Sequence, residues 1–309
     1  RPVRIEVYPD HEDFAVRALG MPGLGALGVT FGDVVAMDSP SGRPRGSYHW
    51  ASTLWHELSH VYVLSMTNHR APRWFVEGVA VHEETATNAD WGDRMSFEVL
   101  VAIRDKKLLP VMQLDRGFVR PSYPAQVVVS YFQAGRMCDY IAKTWGEPKL
   151  GEMISIFAQR KGTEEVIRTA LGIAPEELDR RFLAALEAET KPLADTLDDW
   201  RKRITELNKA AAAGRPDEVI RLAPALRDMF PEYVESGSAY ELLVNAYSAR
   251  GNAAAALAEL ERYSKAGGRD PGLIKKFAAE LERRNRNKEA AAALSRLLAV
   301  DPLDEELHV

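Results

Sequence analysis

A single cysteine, Cys138, stands among 309 residues, so the chain has no internal disulfide framework. That scarcity does not identify a compartment, but it limits any metal site to imidazole and carboxylate donors. Long apolar runs are also missing, and none approaches the roughly 18 residues of a membrane span. Charge of one sign is not in excess: 40 Lys and Arg face 45 Asp and Glu, a formal balance of −5. Such mild acidity gives no whole-chain electrostatic reason to expect nucleic-acid binding. The chain opens Arg1-Pro2 rather than with Met, so its natural start, with any signal peptide or anchor, is expected upstream. Hydrophobic residues make up 46% and charged residues 28%, the composition of an ordinary globular chain whose length permits two domains or one large one.

The character of the chain changes twice. Residues 1–50 are turn-rich and hold β-like runs at Val3–Tyr8, which alternates apolar and polar residues, and at Gly28–Met37, which is Val-rich and broken by Gly. Ser39–Gly46 reads as a loop. From about residue 51 the apolar spacing becomes helical, over Ala51–Ser65, Arg73–Thr85, Ser96–Asp105, Val128–Trp145, Lys149–Gln159 and Thr163–Leu171. Pro175 followed by Glu176 and Glu177 opens a further helix that should run to about Glu189. Beyond Lys191-Pro192 the Ala and Leu content rises and β-like runs disappear. Tyr240–Leu257 and Ile274–Ala291 superimpose at a shift of 34 residues, placing Ile274 on Tyr240, Asn285 on Gly251 and Ala290 on Ala256. A less regular copy precedes them. This helix–turn–helix period resembles the tetratricopeptide repeat, without the Trp and Leu-Gly of its strong consensus; the plainer reading is an Ala-rich helical bundle. Both make the segment all-helical.

The chemistry concentrates in His56-Glu57-Leu58-Ser59-His60, an H-E-x-x-H sequence inside a helical stretch. Residues four apart share a helix face, so both imidazoles can reach one Zn²⁺ while Glu57 lies beside it as a general base. Leu54, Trp55, Leu58, Val61 and Tyr62 are expected to bury the helix, and buried imidazoles and acids need partners. Catalytic zinc keeps three protein ligands and one open position. Glu77, alone on the apolar helix Arg73–Ala80, is the favoured third ligand; His69, in a polar connector, and His82, on another helix face, compete with it. Glu84, seven residues after Glu77, is a candidate acceptor for a ligand imidazole or a solvated acid. Arg43, Arg45, Arg70 and Arg73 read as solvated cations.

His56–His60 followed by Trp74-x-x-Glu77-Gly78-x-Ala80 resembles the gluzincin zinc peptidases, and most closely their bacterial peptidase MA-like group, often joined to tetratricopeptide repeats. The resemblance runs through residues 1–190. It implies an α+β zincin-like peptidase domain there, mostly helical with a small N-terminal sheet, followed by an all-α helical repeat domain of about three helix pairs over 191–309. It implies one Zn²⁺ on His56, His60 and Glu77, with Glu57 as base. In the aminopeptidase relatives a Tyr-x-x-Gly/Ala helix supplies a hydroxyl to the oxyanion, which carried over gives Tyr131, in Tyr131–Gly135; Tyr123, in a Pro-flanked loop, is its rival. The Gly-x-Met-Glu-Asn strand of those aminopeptidases is absent, so aminopeptidase specificity is not implied. An extracytoplasmic location follows from the resemblance alone.

The leading expectation is a zinc metallopeptidase acting on peptides or proteins, with a strand of Gly28–Met37 beside the cleft and a protein partner for the repeats. A repeat-based binding scaffold with an idle zinc domain is the alternative, and a non-peptidase hydrolase on the same metal ligands the weaker third.

Overall fold

The computed structural model describes residues 2–307 except 24, 45, 46 and 93. It separates into two compact units, residues 1–43 with 50–191, and residues 192–309 with Pro44–His49.

The first unit begins with a three-stranded sheet of β1 (Arg4–Tyr8), β2 (Gly28–Phe31) and β3 (Val34–Asp38), ordered β1-β3-β2. β1 runs parallel to β3 and β2 antiparallel to it, with Phe31 opposite Val34 and Gly28 opposite Met37. The Gly28–Met37 run is therefore a hairpin, turned by Gly32 at φ +60° and Asp33. A helix absent from the sequence reading, α1 (His11–Leu19), lies between β1 and β2. Asp10 caps it by accepting the Asp13 N–H at 2.9 Å, and Gly20 closes it in the left-handed region. The fully buried Asp38 carboxylate fastens this corner, 3.0 Å from His11 Nδ1 and 2.6 Å from Arg43 Nε. Arg43 is thus an ion-pair partner rather than a solvated cation, while Arg45 and part of the Ser39–Gly46 loop lie outside the described residues.

Eight helices complete the unit: α2 (Trp50–Thr67), α3 (Arg73–Thr87), α4 (Phe97–Arg104), α5 (Asp115–Val119), α6 (Gln126–Trp145), α7 (Pro148–Phe157), α8 (Thr163–Leu171) and α9 (Pro175–Ala194). α2 ends where Asn68 and His69 adopt positive φ, which allows the reversal into α3. α2 packs on β2, β3, α3 and α7, and the side carrying positions 55 and 62 is left to water. Trp55 is 40% and Tyr62 61% exposed, against the expectation that both are buried. α9 outlasts its expected end by passing through Pro192. Proline keeps a helical φ, and the lost bond to the Ala188 carbonyl with the crowding of its ring there does not stop this helix.

The second unit holds α10 (Leu197–Ala212), α11 (Pro216–Met229), α12 (Ala239–Ala249), α13 (Ala253–Lys265), α14 (Pro271–Glu282) and α15 (Asn287–Ser295). Positions 34 apart play the same parts: Tyr240 and Ile274 are buried, as are Ala256 and Ala290, and Gly251 and Asn285 both turn the chain at positive φ. No helix among the described residues is long and apolar enough to cross a membrane.

Candidate metal centre

Four residues along α2, His56 and His60 project from one face, their rings edge-on with centroids 4.6 Å apart. α3 faces them with Glu77, whose Oε2 lies 3.2 Å from Nε2 of both imidazoles. Donor atoms on a tetrahedral zinc, each about 2.0–2.1 Å from the ion, stand about 3.3 Å from one another. Glu77 Oε2 thus stands from each imidazole nitrogen at the spacing of two ligands on one small cation. Ligand atoms of His56, Glu57 and His60 also fall within 4.8 Å of one another, and these residues could hold a metal ion. Of the two acids, Glu77 is the one seated between the imidazoles.

The order of α3 against α6 explains how Glu77 is placed. A Cβ on Gly78 would lie 2.6 Å from the Ala134 carbonyl oxygen, and one on Gly135 would lie 2.4 Å from Val81 Cγ1. Only glycine at both positions lets the helices close to this distance. That approach brings Tyr131 of α6 to the cluster, its ring 6.2 Å from His56 and 5.1 Å from Phe118. The start of α3 is held by Asp115 of α5, whose carboxylate accepts the Trp74 N–H at 2.7 Å.

A second tier of contacts surrounds the donors. Glu84 accepts from His56 Nδ1 at 2.7 Å and from the Ser52 hydroxyl, so Glu84 is the imidazole acceptor and not a solvated acid. This leaves His56 Nε2 facing Glu77. His60 Nδ1 is buried without a hydrogen-bond partner among the described residues. Arg73 Nε donates to Glu77 Oε1 at 3.2 Å, so Arg73 belongs to the site. Arg70 reaches the Ala158 carbonyl at 3.0 Å.

Electrostatics agree with a cation site. Burial works against charge on His56, but its bonds to Glu77 and Glu84 outweigh this and push its pKa well above the usual imidazole range. Burial would raise Glu77; the two imidazoles instead hold its carboxyl well below the usual carboxylate range. Burial first, then the Glu77 charge, pushes the Tyr131 hydroxyl up, with Arg73 opposing, so it keeps its proton. Glu57, Glu77 and Glu84 outnumber Arg73 and the proton on His56, which leaves the carboxylates in excess. A divalent cation would neutralise them and displace the proton held between His56 and Glu77.

The fold and the family coincide over this region: the family model described as the peptidase MA superfamily matches residues 1–188. The chain belongs to the peptidase MA superfamily. No curated protein and no solved structure matches it. Members of the peptidase MA superfamily are generally metal-dependent, and the superfamily supports a peptidase-type domain acting on peptides.

Other candidates fall elsewhere. His69 is exposed in the α2–α3 turn. His82 is buried between Asp139 (2.6 Å) and Glu147 (2.7 Å), turned to α6 and its end rather than to the cluster. Tyr123 sits in the loop before α6 with Lys107 over its ring at 5.7 Å. Two residues escaped the sequence reading. Thr30 Oγ1 of β2 lies 2.6 Å from Glu57 Oε2, and a Cβ on Gly28 would come within 2.8 Å of Glu57 Cγ. Twenty-seven residues separate Thr30 from Glu57, and the one available signal was a glycine in a Val-rich strand.

Proposed function

We propose that this protein is a zinc-dependent peptidase, with His56, His60 and Glu77 holding one Zn²⁺. The observation that carries the reading is Glu77 Oε2 standing 3.2 Å from both imidazole Nε2 atoms. When bound, the ion lowers the pKa of a coordinated water and polarises the scissile carbonyl. Glu57, buried beside the donors, takes a proton from the attacking water on a carboxylate oxygen and passes it to the leaving amine. Tyr131, kept protonated by burial, donates its hydroxyl to the carbonyl oxygen as that atom gains charge. Glu84 fixes the ring of His56 through Nδ1. β2 is an edge strand beside α2, and its unpaired side offers main-chain groups to an extended substrate.

We further infer that residues 1–190 form the peptidase domain and that 191–309, the helices α10–α15, form a tetratricopeptide-like array for a protein partner or substrate. Positions 34 apart with matching burial and turn conformation support this.

Elemental analysis with a casein or peptide-library assay tests the enzyme. One zinc per chain is expected in wild type and in Glu57→Gln, with cleavage lowered about 10³-fold or more in the variant. Glu77→Ala should lose the metal while His82→Ala keeps it. A folded wild-type chain without zinc, or the reverse order of those two variants, refutes the assignment.

A further inference from the structure

We propose that Thr30 is a positioning residue that keeps Glu57 out of the metal's coordination sphere, so that this acid acts as a base rather than as a fourth ligand. The inference rests on the zinc-peptidase reading above. Its starting point is a difference between the two acids. Glu77 is oriented by the imidazoles themselves and by Arg73. Glu57 is buried, its oxygen lies within 4.8 Å of the histidine donors, and no Lys or Arg pairs with it among the described residues. Among the described residues, no side chain of α2 hydrogen-bonds its carboxylate, whose one side-chain partner is Thr30.

The restraint comes from β2. Thr30 Oγ1 stands 2.6 Å from Glu57 Oε2 and 3.0 Å from the Glu57 main-chain oxygen. A hydroxyl has one proton to give, and the carboxylate is both nearer and charged, so it takes the bond. Two residues earlier, on the same strand face, Gly28 supplies room: a Cβ there would sit 2.8 Å from Glu57 Cγ and 2.9 Å from Oε1. One position donates to the carboxylate and the other clears space for its stem. β2 therefore sets the attitude of the base. The opening of the fourth position follows from the same latch, since a closed site of four protein ligands is a structural one.

Thr30→Val removes the donor at nearly constant shape, and Thr30→Ser restores it. In Thr30→Val, kcat should fall about 10- to 100-fold with KM within about twofold of wild type and one metal per chain retained; Thr30→Ser should recover most of the rate. The second readout needs no catalysis. In the cobalt-substituted proteins, the visible absorption of Thr30→Val should shift in energy and intensity as a carboxylate joins the ion. Thr30→Val/Glu57→Gln should return to the spectrum of Glu57→Gln alone. A Thr30→Val protein with wild-type kcat and cobalt spectrum overturns the inference and leaves the peptidase reading standing. A shift that persists in the double variant also overturns it, because Glu57 is then not the incoming ligand. A folded wild-type chain that takes up neither zinc nor cobalt removes the peptidase reading and the inference together.

Discussion

Two buried charge clusters, one in each unit, differ in a way that separates architecture from chemistry. Between α11 and α13, Arg227 Nη1 meets both oxygens of Glu259 at 2.6 and 2.7 Å, with Arg262 on the same glutamate at 2.9 Å and Asp228 beside Arg227. Two guanidiniums face two carboxylates, and every charge has its opposite. Between α2 and α3, three carboxylates and two imidazoles converge, and among the described residues Arg73 and the proton on His56 are what balance them. One cluster is closed and needs nothing more. The other has donors spaced for a cation and an excess of negative charge, which the low-dielectric interior makes expensive unless a cation joins.

Breaking the closed cluster should have the largest effect on folding and none on metal. Arg227→Ala leaves the buried Glu259 with only the half-exposed Arg262, which should cost the second unit about 2–3 kcal/mol in urea unfolding of the full chain, less than the roughly 3–5 kcal/mol of a wholly unpaired buried charge. Arg227→Met/Glu259→Leu should regain most of that, since a buried ion pair adds little over apolar groups of similar volume. Zinc content should stay at the wild-type value in both. A double variant as unstable as Arg227→Ala would mean that the pair specifies this packing rather than merely neutralising itself.

At the open cluster the sharper measurement is affinity. Glu84→Ala removes the acceptor on His56 Nδ1, and chelator competition should show zinc bound about 10- to 100-fold more weakly. Unchanged affinity would show that the ring of His56 is oriented by packing alone.

The sequence announced the open cluster far better than the closed one, for a physical reason. His56 and His60 are one helical turn apart, so a short pattern contains both their chemistry and their geometry. Glu77-Gly78 was equally visible, because the glycine that admits α6 adjoins the acid it helps to place. Thr30 and Gly28 were not, since the register of a hairpin against a helix is a tertiary fact that strand alternation does not encode. The same limit hid the hairpin at Gly32, where Val-rich residues on both sides read as one run. Local apolar spacing also overstated burial at Trp55 and Tyr62, because it says which faces are apolar but not which neighbour will cover them. Pro192 misled in the opposite direction: a helix already packed through Leu178, Phe182 and Leu186 continues past one lost hydrogen bond.

His82 supplies the smallest effect and a third kind of cluster, in which the balance depends on pH. Burial disfavours its charge, but its bonds to Asp139 and Glu147 raise its pKa to about 9. The unfolded value is near 6.5. Because the folded pKa is the higher, the protonated ring stabilises the fold fully below about pH 6.5, and that stabilisation is lost as pH rises through about 9. Linkage over that interval would amount to about 3 kcal/mol for a fully sheltered group. Glu147 is 64% exposed, however, so water screens one of the two partners and about 1–2 kcal/mol is the expected loss. His82→Gln keeps a donor between the two acids but cannot titrate. Unfolding free energies at fixed zinc should therefore decline from pH 6.5 to 9 more steeply in wild type than in the variant. Parallel curves would mean that His82 is neutral throughout, and its two short contacts would then be ordinary hydrogen bonds rather than ion pairs. Zinc affinity should respond equally to pH in both proteins, because His82 is turned away from the donors that α2 and α3 bring together.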